Sequence, residues 1–135
     1  MRAGDFLLEC QTIMSDDFTI AESRALTPEE FRLLEWLLAH GTVEAANYAA
    51  QLSRARVAAR CACGCPTLDL ALDGKERRTV GVSNILADAS GRSPEGVAVQ
   101  VILHARDGEL SELEVLSVDG TKIFSMPAPE TLSAV

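Results

Sequence analysis

The fold class is decided by residues 97–118, which read VAVQVILHARDGELSELEVLSV. Apolar residues alternate along the first half of this stretch, which is the period of a half-buried β-strand. They are Val97, Val99, Val101 and Leu103. Asp107-Gly108 is typical of a two-residue hairpin turn, and a second Asp-Gly at 119–120 ends the following run. The stretch therefore predicts two antiparallel strands joined by a tight turn.

Three more strands are predicted upstream of this hairpin. After Ser53 the apolar spacing changes from helical to alternating, which indicates a strand over residues 54–63. The leucines of residues 68–72 alternate with other residues in the same way, so these two runs predict a hairpin around Gly64-Cys65-Pro66-Thr67. A further strand is expected within residues 79–89, followed by a loop at 90–96.

A helix start is indicated by Leu26-Thr27-Pro28-Glu29-Glu30-Phe31. Thr27 can cap the first free amides, Pro28 suits the first helical position, and Glu30 can complete a capping box. Leucines continue an apolar stripe until His40-Gly41, where the helix should end. A second, alanine-rich helix is expected from Thr42 to Leu52.

Helices followed by consecutive strands predict an α+β fold, with two N-terminal helices packed on an antiparallel β-meander of four to five strands. A length of 135 residues fits a single domain over residues 1–135. Residues 1–17 are interpreted as a loosely attached extension, with Met14 as an alternative natural start. Residues 119–135 contain two prolines and are interpreted as a partly loose tail.

The net charge of −8 disfavours nucleic acid and anionic membranes as partners, because both are themselves polyanionic. The same charge would speed encounter with a basic protein. The N-terminal run Phe6-Leu7-Leu8 is interrupted by Glu9, so neither a signal peptide nor a membrane span is indicated. We therefore expect a cytoplasmic protein, in which the four cysteines are not a disulfide framework.

Unusual chemistry is concentrated in Arg60-Cys61-Ala62-Cys63-Gly64-Cys65-Pro66. The favoured interpretation is that Cys61 and Cys63 fill the core as small apolar residues, on the strand parity of Val57. Zinc is the alternative, with His104 or His40 as fourth ligand. Spacing argues against zinc, because alternate residues on an extended strand stand about 6.6 Å apart. A reactive thiol is a third possibility, with Cys65 as the most exposed candidate.

Acid–base chemistry would need His104 to converge with carboxylates, and the candidates are Asp88, Glu95, Glu112 and Glu114. His104 lies on the polar parity of its strand, so we expect it to be solvated. The chain has no nucleophile elbow, nucleotide-binding loop or H-E-x-x-H motif, and no catalytic residues are assigned. An enzyme is therefore disfavoured.

Glu109, Glu112 and Glu114 form an acidic end on the strands of the 107–108 hairpin. This end would bind a basic partner, or it would protect a sheet edge from aggregation. Leu110, Leu116 and Val118 share one parity of the second strand of this hairpin, whereas Leu113 and Val115 occupy the other. Both faces of the strand are then apolar, which leaves a homodimer as a further alternative.

Cys63-Gly64-Cys65-Pro66-Thr67 and the hairpin sequence DGELSELEV at 107–115 together resemble a group of small bacterial proteins. The resemblance covers about residues 20–120 and implies a capped N-terminal helix with a C-terminal meander, but no activity. Size, charge and layout are also similar to immunity proteins of bacterial toxin systems, which bind a basic toxin domain. We therefore expect a protein-binding domain of this kind. The alternative is a thiol- or metal-binding protein centred on residues 61–65.

Overall fold

The computed structural model describes residues 19–76 and 80–135. The expectations for residues 1–17 and for Met14 lie outside the described residues. The described strands are β1 (Thr19–Ala25), β2 (Ala55–Cys61), β3 (Leu68–Leu72), β4 (Ser83–Arg92), β5 (Ala98–Arg106), β6 (Glu109–Ser117) and β7 (Ser133–Ala134). The described helices are α1 (Pro28–His40), a long 3₁₀ helix (Ala45–Arg54) and a short 3₁₀ helix (Pro129–Thr131).

The described strands form one seven-stranded sheet in the order β1-β2-β3-β6-β5-β4-β7. Every neighbouring pair is antiparallel. The predicted hairpins β2–β3 and β5–β6 are confirmed, and the turn at Asp107 and Gly108 has positive φ at both residues, of 51° and 80°. However, β6 rather than β4 lies beside β3. A meander in sequence order is therefore not formed.

The predicted fold class of two N-terminal helices on four to five strands is wrong. Strand β1 precedes α1, and the sheet has seven strands rather than four or five. The second helical segment is a 3₁₀ helix that starts at Ala45, and Glu44 before it makes no side-chain capping bond. Sequence periodicity missed β1 because it is an edge strand with no residue fully buried, so its faces do not alternate in hydrophobicity.

The capped helix α1 is confirmed at both ends. The Thr27 hydroxyl accepts a hydrogen bond from the Glu30 amide at 3.1 Å, and the Glu30 carboxylate accepts one from the Thr27 amide at 2.9 Å. Arg24 of β1 donates two further bonds to the Glu30 carboxylate, at 2.9 and 3.0 Å. The capping box therefore also ties α1 to the edge strand.

The core lies between α1 and one face of the sheet and is aliphatic, as the low aromatic content predicts. Its largest fully buried side chains are leucines and valines, including Leu33, Leu37, Leu70, Leu86, Leu103, Leu113, Val57 and Val101. The tail joins this core through Phe124 and Leu132, and β7 pairs with β4. Among the described helices, none has the length and apolar character needed to cross a bilayer.

Candidate thiolate site

The cysteine cluster is built on the turn between β2 and β3. Strand β2 ends at Cys61, whose amide donates to the Thr67 carbonyl oxygen at 3.3 Å. Gly64 has a φ of +96°, a left-handed conformation that favours glycine, and its amide approaches the Cys61 carbonyl oxygen at 3.5 Å. Cys63 and Cys65 therefore lie in the turn and not on the extended strand.

This turn brings three sulfur atoms together. The Sγ atoms of Cys61, Cys63 and Cys65 all lie within 4.8 Å of one another. Cys61 Sγ is 3.0 Å from Cys63 Sγ, and the Cys65 amide donates to Cys63 Sγ at 3.4 Å. Thiolates that share a tetrahedral zinc, with bonds of about 2.3 Å, stand about 3.8 Å apart. The spacing argument made against zinc from the sequence is therefore wrong, because the strand ends at Cys61.

Burial differs among the three cysteines. Cys61 is 1% exposed and Cys65 is 9% exposed, whereas Cys63 is half-buried between the exposed residues Ala62 and Gly64. The expectation that Cys65 is the most exposed thiol is therefore wrong. Packing in the core accounts for the burial of Cys61 and Cys65, but it does not account for the convergence of three sulfurs.

The thiols of Cys61 and Cys65 influence each other's ionisation. Their mutual hydrogen bond lowers the pKa of Cys65 to about 6, with a further contribution from Thr67, against the opposing effect of burial. The same hydrogen bond, followed by burial, raises the pKa of Cys61. Of these two thiols, Cys65 is therefore the one that loses its proton more readily.

Cys63 takes part in a disulfide bond. Cys61 is not the other half of this bond, because the 3.0 Å between their sulfurs exceeds the S–S bond length of about 2.05 Å. The expectation of four reduced cysteines is therefore wrong at Cys63. That expectation rested on the inferred compartment alone.

Thr67 is a supporting residue that the sequence interpretation missed. Its hydroxyl is buried and bonds both backbone groups of Val115 on β6. It thereby fixes the end of the cysteine turn to the centre of the sheet. The only sequence signal was a threonine directly after Cys65-Pro66, at the start of a run of leucines.

Neither histidine completes the cluster. His104 Nε2 lies 2.8 Å from the Glu114 carboxylate, and His40 Nδ1 lies 2.8 Å from the Trp36 carbonyl oxygen. Within residues 19–76 and 80–135, the group of possible metal ligands around these sulfurs contains the three cysteines alone. The side chain of His104 is only 17% exposed, so the expectation that it is solvated is wrong.

The acidic candidates do not form one exposed edge, because β6 lies inside the sheet. Glu109 pairs with Lys75, Glu114 pairs with His104, and Glu112 is partly buried. Of the other acid–base candidates, Asp88 accepts a hydrogen bond from Gln100, and Glu95 accepts two from Ser125. Only Glu112 and Glu114 thus lie near His104, on the strand paired with its own.

The fold and the site define a small antiparallel-sheet domain with a cysteine cluster on one turn. A family profile described as a domain of unknown function, DUF6984, matches residues 23–127, which include α1, strands β2 to β6 and the whole cluster. The chain belongs to this family. A comparison with curated proteins and a comparison with solved structures each found no match.

Proposed function

We propose that this domain binds a zinc ion through the thiolates of Cys61, Cys63 and Cys65 in its reduced state. The observation that carries the proposal is the convergence of three Sγ atoms within 4.8 Å on one short turn. Because the turn is closed by backbone bonds and by Thr67, little chain entropy remains to be lost when the sulfurs gather on a metal.

The donor set selects the kind of metal. Thiolate sulfur favours zinc, copper(I) and iron–sulfur centres, whereas calcium and magnesium take oxygen ligands. Zinc needs no redox partner and is commonly bound by three or four cysteines in structural sites. A bound ion would link the end of β2 to the start of β3 and would stabilise the native state through its own binding free energy.

Reduction is a condition of binding, since Cys63 cannot supply a thiolate while it is part of a disulfide. The test therefore starts from fully reduced protein prepared without chelator. Native mass spectrometry and elemental analysis should show one zinc per chain. Cobalt(II) should give the intense thiolate charge-transfer and d–d absorption of a tetrahedral sulfur site.

Matched variants identify the ligands. Cys61→Ser, Cys63→Ser and Cys65→Ser should each weaken zinc binding, whereas Ala62→Ser adds a hydroxyl to the same turn and should leave it unchanged. Reduced protein that takes up neither zinc nor cobalt would overturn the proposal. Zinc binding that survives all three cysteine substitutions would overturn it equally.

The fourth ligand is identified by two additional variants. The described residues supply three sulfurs, and the chain has one more cysteine, Cys10, outside the described residues. If Cys10→Ser changes the cobalt spectrum, the fourth ligand is a protein thiolate. If Cys10→Ser and His104→Gln both leave it unchanged, the fourth ligand is a water molecule or a ligand from elsewhere. The basic protein partner and the homodimer stay predictions of the sequence.

A further inference from the structure

We infer that Cys63 makes metal binding redox-dependent, with a reduced state that holds zinc and a disulfide state that releases it. This inference rests on the proposed zinc site. It goes beyond that site in assigning Cys63 as the sulfur that leaves the metal on oxidation and in naming a hydroperoxide as the class of oxidant.

The Cys63 sulfur atom takes part in both states of this switch. Cys63 is part of a disulfide, and its Sγ is also a member of the three-sulfur group. A sulfur bonded to another sulfur has lost the thiolate charge that a zinc ligand supplies. The two states therefore exclude each other, and oxidation at Cys63 leaves two of the three described ligands.

Cys63 is more accessible to solvent than Cys61 and Cys65. Cys61 and Cys65 are packed in the core, whereas Cys63 is half-buried and is flanked by exposed Ala62 and Gly64. A small oxidant such as hydrogen peroxide thus reaches the Cys63 sulfur first. Accessible thiolates beside a second thiol are the usual sites of reversible oxidation in proteins.

The reaction balances with hydrogen peroxide as the oxidant. The Cys63 thiolate attacks one peroxide oxygen, so that an S–O bond forms, the O–O bond breaks, and hydroxide leaves and is protonated to water. A second protein thiol then attacks the sulfenic sulfur, which forms the S–S bond and expels a second hydroxide, again protonated to water. Two thiols are oxidised, one peroxide is reduced to two waters, and the zinc ion is set free.

The test uses reduced wild-type protein loaded with zinc. Hydrogen peroxide should release the zinc to a chromogenic indicator, the intact mass should fall by two hydrogen atoms, and a phosphine reductant should restore zinc uptake. Zinc affinity of the oxidised protein should be weaker by more than about 100-fold, because loss of an outer-shell partner alone weakens metal sites by about 10–100-fold. Peptide mapping under non-reducing conditions should place Cys63 in the disulfide.

The outcomes separate this inference from the proposed function. Protein that never loads zinc contradicts the zinc site itself. Protein that loads zinc and keeps it after peroxide contradicts the switch alone. A released ion with Cys61 joined to Cys65, and with Cys63 still open to alkylation, would show that release occurs but not through Cys63, and would overturn the inference.

Discussion

The hydroxyl of Thr67 donates a hydrogen bond to the Val115 carbonyl oxygen at 3.0 Å and accepts one from the Val115 amide at 2.9 Å. This side chain therefore replaces one rung of the ladder between β3 and β6, whose strand pairing begins at Leu68 and Leu113. Since Thr67 follows Cys65-Pro66 directly, the same two bonds hold the cysteine turn in place against the sheet.

Thr67→Val should lower the free energy of unfolding by about 1–3 kcal/mol, because it leaves both buried backbone groups of Val115 without a partner while conserving shape. Denaturant unfolding of the reduced protein measures the change. Thr67→Ser keeps the hydroxyl and should lose much less. Equal stability of the valine variant and the wild type would show that the two bonds do not support the fold.

Gly64→Ala should weaken zinc binding without removing a ligand. The φ of +96° at Gly64 is strained for alanine, whereas the added Cβ would make only an ordinary contact of 3.5 Å with Ile123. Gly96→Ala is the matched control, because Gly96 has a φ of +87° and no neighbour within 4 Å, far from the cluster in sequence. Zinc titration should separate the two variants, and an equal affinity in both would count against a preorganised turn.

Gly41→Ala should destabilise the junction between α1 and β4. A Cβ at this position would lie 2.2 Å from the Leu86 carbonyl oxygen, so the backbone must shift. Overpacking of this kind lowers the free energy of unfolding by about 1–3 kcal/mol. Thermal unfolding measures it. Since φ at Gly41 is −90°, a loss of stability would come from the contact between the new Cβ and the Leu86 carbonyl oxygen, and not from the backbone conformation. An unchanged midpoint of thermal unfolding would show that the backbones do not approach each other this closely.

Stability should depend on pH through Glu112. Burial raises the pKa of its carboxyl to about 7, with Glu114 and Asp69 adding to the rise and His104 and Arg106 opposing it. A pKa raised by folding means that the native state binds the proton more tightly than the unfolded state. The stabilisation that the protonated Glu112 carboxyl gives to the native state is therefore fully present below pH 4.5, the ordinary pKa of a glutamate. It is lost as the pH rises to about 7.

Glu112→Gln removes that titration and should be more stable than the wild type above pH 7, by roughly 3 kcal/mol at most, with the difference shrinking as pH falls. Unfolding free energies of the variant and the wild type, measured at several pH values, show whether the difference between them grows as pH rises. Glu109→Gln, at a glutamate that pairs with Lys75 near the surface, is the control. A difference between Glu112→Gln and the wild type that is constant with pH would contradict the assigned titration.

Local features of the fold were predictable from the sequence, whereas the pairing of distant segments was not. The capping box at Thr27 and the turn at Asp107-Gly108 act within a few residues, so sequence alone identified them. Strand β3 has β6 rather than β4 as its neighbour, and this pairing joins Leu68 to Leu113, which are far apart in the sequence. No local signal in the sequence encodes that choice.

The candidate site was predictable as a set of residues and not as a geometry. The alternation through Cys61 and Cys63 predicted a strand up to residue 63 and a turn from Gly64, whereas the strand ends at Cys61. Cys63 and Cys65 both lie in the turn, where Gly64 has a left-handed conformation and the three sulfurs converge. Two-residue periodicity describes a strand only while the chain remains extended, so it placed the end of the strand two residues too late.

The most direct test of the account is the metal content of the fully reduced wild-type protein, measured beside Cys63→Ser. The zinc site predicts one zinc per wild-type chain, with tetrahedral thiolate absorption after replacement by cobalt, and a weakened site in the variant. Metal-free wild-type protein that stays metal-free after reduction and zinc addition would contradict the central claim.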